Sequence, residues 1–413
     1  MSDKRYSYRS DKIALSGIRK MSEKIKPDTI NLTLGEPDFN PPKHIRTAML
    51  KATEEGHNKY TPPLGVRELR DSIAIRLSKY SPNIKGDNVL VTIGGSEALF
   101  LSALIFYDPM DEILVPDPGF TVYLSHISLC RGKPVFYRCA EKHKFVPDLA
   151  DMENLITDKT KAILVNSPNN PTGAVYDEKT VDGIVELAEK HDLMIISDEV
   201  YDEIIYTDHH VSFLGRSDRV VYINSFSKTY AATGWRLGYL VADPTTIQKM
   251  VGLHHAIVAC PPSITQYAAI DALLAEQTEV RSMVEKYKAR RDFLIAALNK
   301  TEGFKCFMPG GAFYAFPSFD FKMDSMDLAM RLLDGGVGTV PGVAFGSCGE
   351  GYLRLSYATS MQNLREAIKR IRVVATALAN EERADGRRSQ SSMSYYHDED
   401  EKKDIAKSNG SEE

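Results

Sequence analysis

Ser225, Ser227, Lys228 and Arg236 fall within twelve residues of one another. A lysine amine can condense with a carbonyl compound. Two hydroxyls beside it, and a guanidinium eight residues further on, can hold an anion. The apolar run Val220-Val221-Tyr222-Ile223-Asn224 leads in and Leu237-Gly238-Tyr239-Leu240-Val241 leads out. The layout predicts strand, tight loop, strand, with Lys228 on the loop. Ser-x-Ser-Lys alone is a weak signal, because most lysines that follow serines are solvated, so the elements around it must carry the argument.

Those elements alternate. Val89–Ile93 reads as a buried strand, followed by Gly94-Gly95-Ser96 and a helix from about Glu97 to Phe106. A strand, a glycine turn and a helix start place backbone N–H groups and the helix dipole where an anion can sit. The spacing is not the dinucleotide pattern, and an ordinary strand-to-helix connection fits it equally. Glu112–Val115 runs into Pro116-Asp117-Pro118-Gly119-Phe120. Lys161–Val165 runs into Asn166-Ser167-Pro168-Asn169-Asn170-Pro171-Thr172-Gly173, and Leu193–Ser197 into Asp198-Glu199-Val200-Tyr201. Helices are predicted over 42–55, 66–80 and 181–191, with an exposed loop at Tyr60–Gly65. This alternation predicts an α/β fold with a mostly parallel, doubly wound sheet. Ligands of such sheets lie outside the carboxyl ends of the strands. Gly94, Phe120, Asn170, Asp198 and Lys228 all fall at predicted strand ends. Upstream, Ile30–Phe39 reads as a short strand ending in a Gly/Pro turn, where Gly35 either makes a plain turn or lets backbone approach a ligand.

Beyond Val241 the pattern becomes helical, over 244–258, 263–276 and 280–300. Strands at 310–316, 337–340 and 352–357 and a helix over 361–379 follow. This predicts a smaller α+β domain, joined by the N-terminal segment, in which Ile13–Ile25 has weak helical periodicity. The expected divisions are 1–48 with the small domain, 49–285 as the large domain, 286–380 as the small domain and 381–413 as a tail. That tail carries ten acidic and six basic residues and few aliphatic ones, so it is expected to be disordered.

A chain of 413 residues, 43% hydrophobic and 26% charged, has the composition of a globular protein with a large core. A net charge of −5 offers no reason to expect nucleic acid or a membrane surface as partner. The five cysteines are scattered without a Cys-x-x-Cys pair, which favours a reducing compartment over disulfides or zinc. No apolar run is long enough to span a bilayer and no signal peptide is read. The cytoplasm is the expected location. Trp235 reads as packing, and His209-His210 and His254-His255 as loop and helix-surface residues.

Taken together, the motifs from Gly35-Glu36-Pro37-Asp38-Phe39 to Arg354-Leu355-Ser356-Tyr357 resemble the class I pyridoxal-phosphate aminotransferases of fold type I, in the branch of aspartate and aromatic aminotransferases. The resemblance implies pyridoxal 5'-phosphate as cofactor, with Lys228 forming the Schiff base and then moving the proton at the substrate Cα. It implies Asp198 at the ring nitrogen, Tyr201 and Asn170 at the ring hydroxyl, and Phe120 stacked on the ring. Gly95, Ser96, Ser225, Ser227 and Arg236 would hold the phosphate. Tyr60 would reach the phosphate of a neighbouring subunit in a homodimer. Arg354 would fork onto the substrate carboxylate, assisted by Gly35 and Asn170. The implied reaction passes an amino group from an amino acid, aspartate first and aromatic second, to 2-oxoglutarate by a ping-pong route. A carbon–sulfur β-lyase on the same scaffold and a non-catalytic cofactor-binding regulator are the alternatives. No readable motif assigns a receptor for a side-chain carboxylate.

Overall fold

The computed structural model describes residues 23–393 and a few positions before them (5–7, 9, 13 and 21). The helix expected over Ile13–Ile25 lies largely outside the described residues. Strands β1 (Ile30–Asn31), β2 (Val89–Thr92), β3 (Glu112–Asp117), β4 (Lys133–Arg138), β5 (Thr160–Asn166), β6 (Met194–Asp198), β7 (Val220–Ser225) and β8 (Gly238–Val241) come first in the chain. All but β1 form one sheet in the order β2-β8-β7-β6-β5-β3-β4. Pairing is parallel from β7 through to β4, while β8 runs antiparallel to both its neighbours.

The strand sequences read as continuous apolar runs because both faces of the sheet are covered. On β5, Ile163 and Val165 enter one core while Ala162 and Leu164 enter the other. On β7, Tyr222 and Val220 face the first core and Val221 and Ile223 the second. β4 escapes the sequence pattern. It is an edge strand containing Pro134 and mostly half-buried or exposed side chains, as edge strands often are.

The chain leaves β3 for β4 at the edge, then returns to the far side of β3 as β5 and continues outward through β6 and β7. The crevice between β3 and β5 is therefore a topological switch point, where doubly wound sheets bind ligands.

The late strands and the helices Thr278–Leu298, Ser325–Asp334 and Met361–Met393 gather around a third core. β9 (Phe304–Lys305) pairs antiparallel with β11 (Ser318–Phe319), and β10 (Tyr314–Ala315), β14 (Leu353–Ser356) and β13 (Val340–Pro341) form an antiparallel sheet. β1 pairs in parallel with β12 (Val337–Gly338), so the N-terminal segment joins these late strands. The expected strand over 310–316 is shortened to Tyr314–Ala315. The N–H groups of Gly310 and Gly311 both donate to the Gly173 carbonyl, at 2.9 and 3.0 Å, and Ala312 turns to φ 56°.

Three helices cross the expected divisions. Lys43–Glu54 spans the 48/49 boundary, Thr278–Leu298 spans 285/286, and Met361–Met393 spans 380/381. The expectation of disorder from 381 onward is thus corrected for its first part. Glu and Arg are good helix formers and continue a helix already docked through Ala375 and Leu378. Glu381 pairs with Arg331 at 3.3 Å, Glu382 accepts from the Lys322 N–H at 2.6 Å, and Arg383 pairs with Glu302. Residues 394–413 lie outside the described residues.

Candidate active site

A cavity of about 350 Å³ opens at the carboxyl ends of β3, β5, β6 and β7. Twelve of the thirteen residues singled out from sequence line it: Gly35, Gly95, Ser96, Phe120, Asn170, Asp198, Tyr201, Ser225, Ser227, Lys228, Arg236 and Arg354. Tyr60 does not. It is 90% exposed beside Asn58 and Pro261 in a separate surface depression.

Lys228 sits on a single helical turn, Phe226–Thr229, within the tight connection expected between two strands. Ser225 ends β7 and caps that turn, its hydroxyl accepting weakly from the Ser227 N–H at 3.4 Å. The Lys228 Nζ donates to the Gly35 carbonyl at 2.6 Å. Burial of the amine is the main cause lowering its pKa, and the cations Arg354 and Arg236 lower it further against the pull of Glu36 and Asp198, to about 8.

Asp198 ends β6 and is only 3% exposed. Burial raises its carboxyl to about 6, opposed by hydrogen bonds from Tyr123 and the Val200 N–H and by the charge of Lys228. Asn166, opposite Asp198 in the parallel register, donates through Nδ2 to the Asp198 carbonyl at 2.9 Å. Its Oδ1 accepts the Asn170 N–H at 2.8 Å. One side chain thus ties the Asn170 turn to the Asp198 strand end.

Arg354 lies on β14 and is 1% exposed. Its Nη1 donates to Asn170 Oδ1 at 2.9 Å and its Nη2 to the Thr33 carbonyl. Thr33 supplies the carbonyl, while that of Gly35 is taken by Lys228. The Arg354 Nε has no partner, and no carboxylate among the described residues forms an ion pair with it. The guanidinium packs over the rings of Tyr314 and Phe345 at 4.6 and 4.9 Å. A buried arginine without a counter-ion is costly unless a ligand supplies the anion. It fits a carboxylate by charge and shape.

On the other side, the helix Gly94–Phe106 begins at the cavity, which Gly95 and Ser96 of its first turn line. Gly94 has φ 70°, and a Cβ there would lie 2.8 Å from the Arg236 Nη2. Glycine therefore lets the guanidinium close on the helix start. Two serine hydroxyls, a helix N-terminus and an arginine make an anion cradle.

Sequence reasoning missed Tyr123, Asn166, Tyr314 and Glu36. Tyr123 donates to Asp198 Oδ2 at 2.8 Å. The Tyr314 hydroxyl meets that of Tyr201 at 2.7 Å, and burial first, then Tyr314, holds the Tyr201 phenol well above its usual range. Tyr314 also stands where a Gly35 Cβ would be. Glu36 accepts from the Thr233 hydroxyl at 3.1 Å. Asn166 had a local signal, its place at the end of a predicted strand, and Glu36 stood within the Gly35–Phe39 motif. The helix-surface expectation is corrected for His254, while His210 lies in a loop as expected. His210 and His254 are buried, at 8% and 0% exposure. His210 Nε2 lies 2.6 Å from Glu199 Oε2, and His254 Nδ1 lies 2.8 Å from Glu97 Oε1.

A doubly wound sheet with a lysine, a carboxylate and two arginines around one switch-point cavity defines a group-transfer enzyme that handles anionic substrates. Residues 27–371 match the family model "Aminotransferase class I and II", and the chain belongs to that family and is an aminotransferase. It is 43% identical to a probable aspartate aminotransferase of Methanocaldococcus jannaschii, over 88% of this chain and 97% of that one. The aspartate aminotransferase of Thermus thermophilus, solved with maleate, superposes with a TM-score of 0.85 at 35% identity, covering 89% of this chain and 99% of that one. An aromatic aminotransferase from Pyrococcus horikoshii superposes with a TM-score of 0.82 at 37% identity, covering 87% and 99%.

Proposed function

We propose that this protein is a pyridoxal-phosphate-dependent aminotransferase that passes the amino group of an L-amino acid to 2-oxoglutarate by a ping-pong route. Aspartate is the first-choice donor and aromatic amino acids the second, following the relatives named for those substrates. The observation that carries the reading is the pairing, in one cavity, of the Lys228 amine with the buried Asp198 carboxylate, opposite a buried Arg354 that lacks a counter-ion.

The residues present suit the cofactor. Its phosphate matches the cradle of Gly95, Ser96, Ser225, Ser227 and Arg236, and its basic ring nitrogen matches the Asp198 carboxylate. When bound, pyridoxal phosphate supplies a reactive carbonyl and a ring that accepts electrons. Asp198 would hold a proton on its ring nitrogen. Tyr201 and Asn170 would hydrogen-bond its ring hydroxyl, and Phe120 would cover a ring face. Arg354 orients the substrate by its α-carboxylate. Lys228, its amine lowered toward neutrality, would take the proton from the substrate Cα as general base and give it up again as general acid. The exposed Tyr60 completes the phosphate site of a second subunit, so the proposed working unit is a homodimer. The five cysteines carry free thiols, in keeping with a proposed cytoplasmic location.

The test is a donor panel with 2-oxoglutarate as acceptor, reporting kcat/KM and glutamate formed. Glutamate formation with aspartate or an aromatic donor is expected. Pyruvate and ammonia from a cysteine conjugate, without glutamate from any donor, would assign the scaffold to β-elimination instead.

A further inference from the structure

Asp198 has two hydrogen bonds to its side-chain oxygens among the described residues. The Val200 N–H reaches Oδ1 at a long 3.4 Å, whereas the Tyr123 hydroxyl reaches Oδ2 at 2.8 Å. Tyr123 is 2% exposed and lines the same cavity. It lies in the helix Val122–Leu129, which starts just after the β3 turn. Phe120 precedes it by three residues, and the two rings meet edge to face at 5.6 Å and 89°. One short segment thus presents an aromatic face to the cavity and a phenol to the carboxylate.

We propose that Tyr123 is a positioning residue for the ring-nitrogen site: its phenol holds Asp198 in the rotamer that faces the cavity and favours the ionised carboxylate. This rests on the pyridoxal-phosphate reading above. A hydrogen bond to the charged form of a group stabilises that form, and charge-assisted bonds are the stronger kind. A buried carboxylate with only one long backbone bond would be freer to rotate and easier to protonate, and a protonated Asp198 has no charge with which to retain a ring proton. The phenol donates to the carboxylate and has no basic role. Tyr123 therefore acts through Asp198, without touching the reacting atoms.

The test uses Tyr123→Phe in the full-length holoenzyme, a change that keeps the edge-to-face packing and removes only the hydroxyl. The expected result is a kcat reduced roughly ten- to a hundredfold, with the donor KM within about threefold. Cofactor affinity, measured by calorimetry on the cofactor-free protein, should fall for pyridoxal phosphate. It should match the wild type for the 1-deaza analogue, which has a ring carbon where the nitrogen was. In an Asp198→Asn background the same change should add little, because both substitutions remove one coupled pair. An unchanged kcat overturns the proposal. Equal loss of affinity for both cofactors, or additive losses in the double variant, also overturns it and marks Tyr123 as packing only. Failure of the wild type itself to bind pyridoxal phosphate would instead overturn the cofactor reading.

Discussion

The amine of Lys228 and the carbonyl of Gly35 meet at 2.6 Å, across 193 positions of sequence. This contact brings the N-terminal segment over the cavity and places the amine inside, where burial lowers its pKa to about 8. A lowered lysine pKa makes the neutral, nucleophilic amine prevail above about 8 rather than above 10.5. The rate at which cofactor-free protein takes up pyridoxal phosphate should rise with pH and level off just above 8. A rate still climbing at pH 10 would contradict this. Borohydride treatment of the loaded protein should fix cofactor mass on the peptide containing Lys228. Lys228→Ala should lose transamination almost completely while still binding cofactor.

Asp198→Ala should lower kcat by orders of magnitude, and Asp198→Glu by less. A kcat within about tenfold of wild type, roughly 1.4 kcal/mol, would remove Asp198 from the ring-nitrogen role. The cofactor-free protein provides a second measurement. Burial raises the folded carboxyl to about 6, above roughly 3.9 for the unfolded chain. The contribution this group makes to stability is complete below the unfolded value and is lost as pH rises through about 6. Asp198→Asn cannot ionise, so its stability relative to wild type should increase between pH 4 and 7, by on the order of 3 kcal/mol. Parallel stability–pH curves would show that Asp198 is not desolvated as described.

Arg354→Lys should reduce kcat/KM roughly ten- to a few hundredfold for every amino acid and keto acid, since lysine cannot reproduce the forked pair. Cofactor absorbance should stay normal. An amine without an α-carboxylate should react at a rate almost insensitive to the change. Equal losses for both kinds of substrate would make Arg354 structural, consistent with its bonds to Asn170 and Thr33 alone.

Truncation after Met393 should leave the melting temperature and kcat/KM unchanged. Truncation after Asn380 removes Glu381, Glu382 and Arg383 and their contacts with Arg331, Lys322 and Glu302. Exposed pairs contribute roughly 0.2–1 kcal/mol each, so the melting temperature should fall by a few degrees while kcat/KM holds. A loss of activity on either truncation would place the C-terminal helix in the catalytic unit.

The sequence by itself determined where the chemistry sits along the chain. Apolar runs ending in Gly95-Ser96, Asn170, Asp198 and Ser225–Lys228 are local patterns, and their ends converge because the strands that carry them all point the same way, with only β8 reversed. What it could not determine were contacts across distance. Tyr123 carries no local mark of a role until folding places Asp198 opposite it. Tyr314 has no local mark that sends its hydroxyl to Tyr201, and Thr33 has none that makes its carbonyl a partner of Arg354. His254 reads as a helix-surface residue until packing sets it on Glu97. Periodicity encodes which face of an element is buried, but not which side chain of another element it meets there. That choice is made by register, crossing geometry and the filling of three cores at once, and only the tertiary structure holds it.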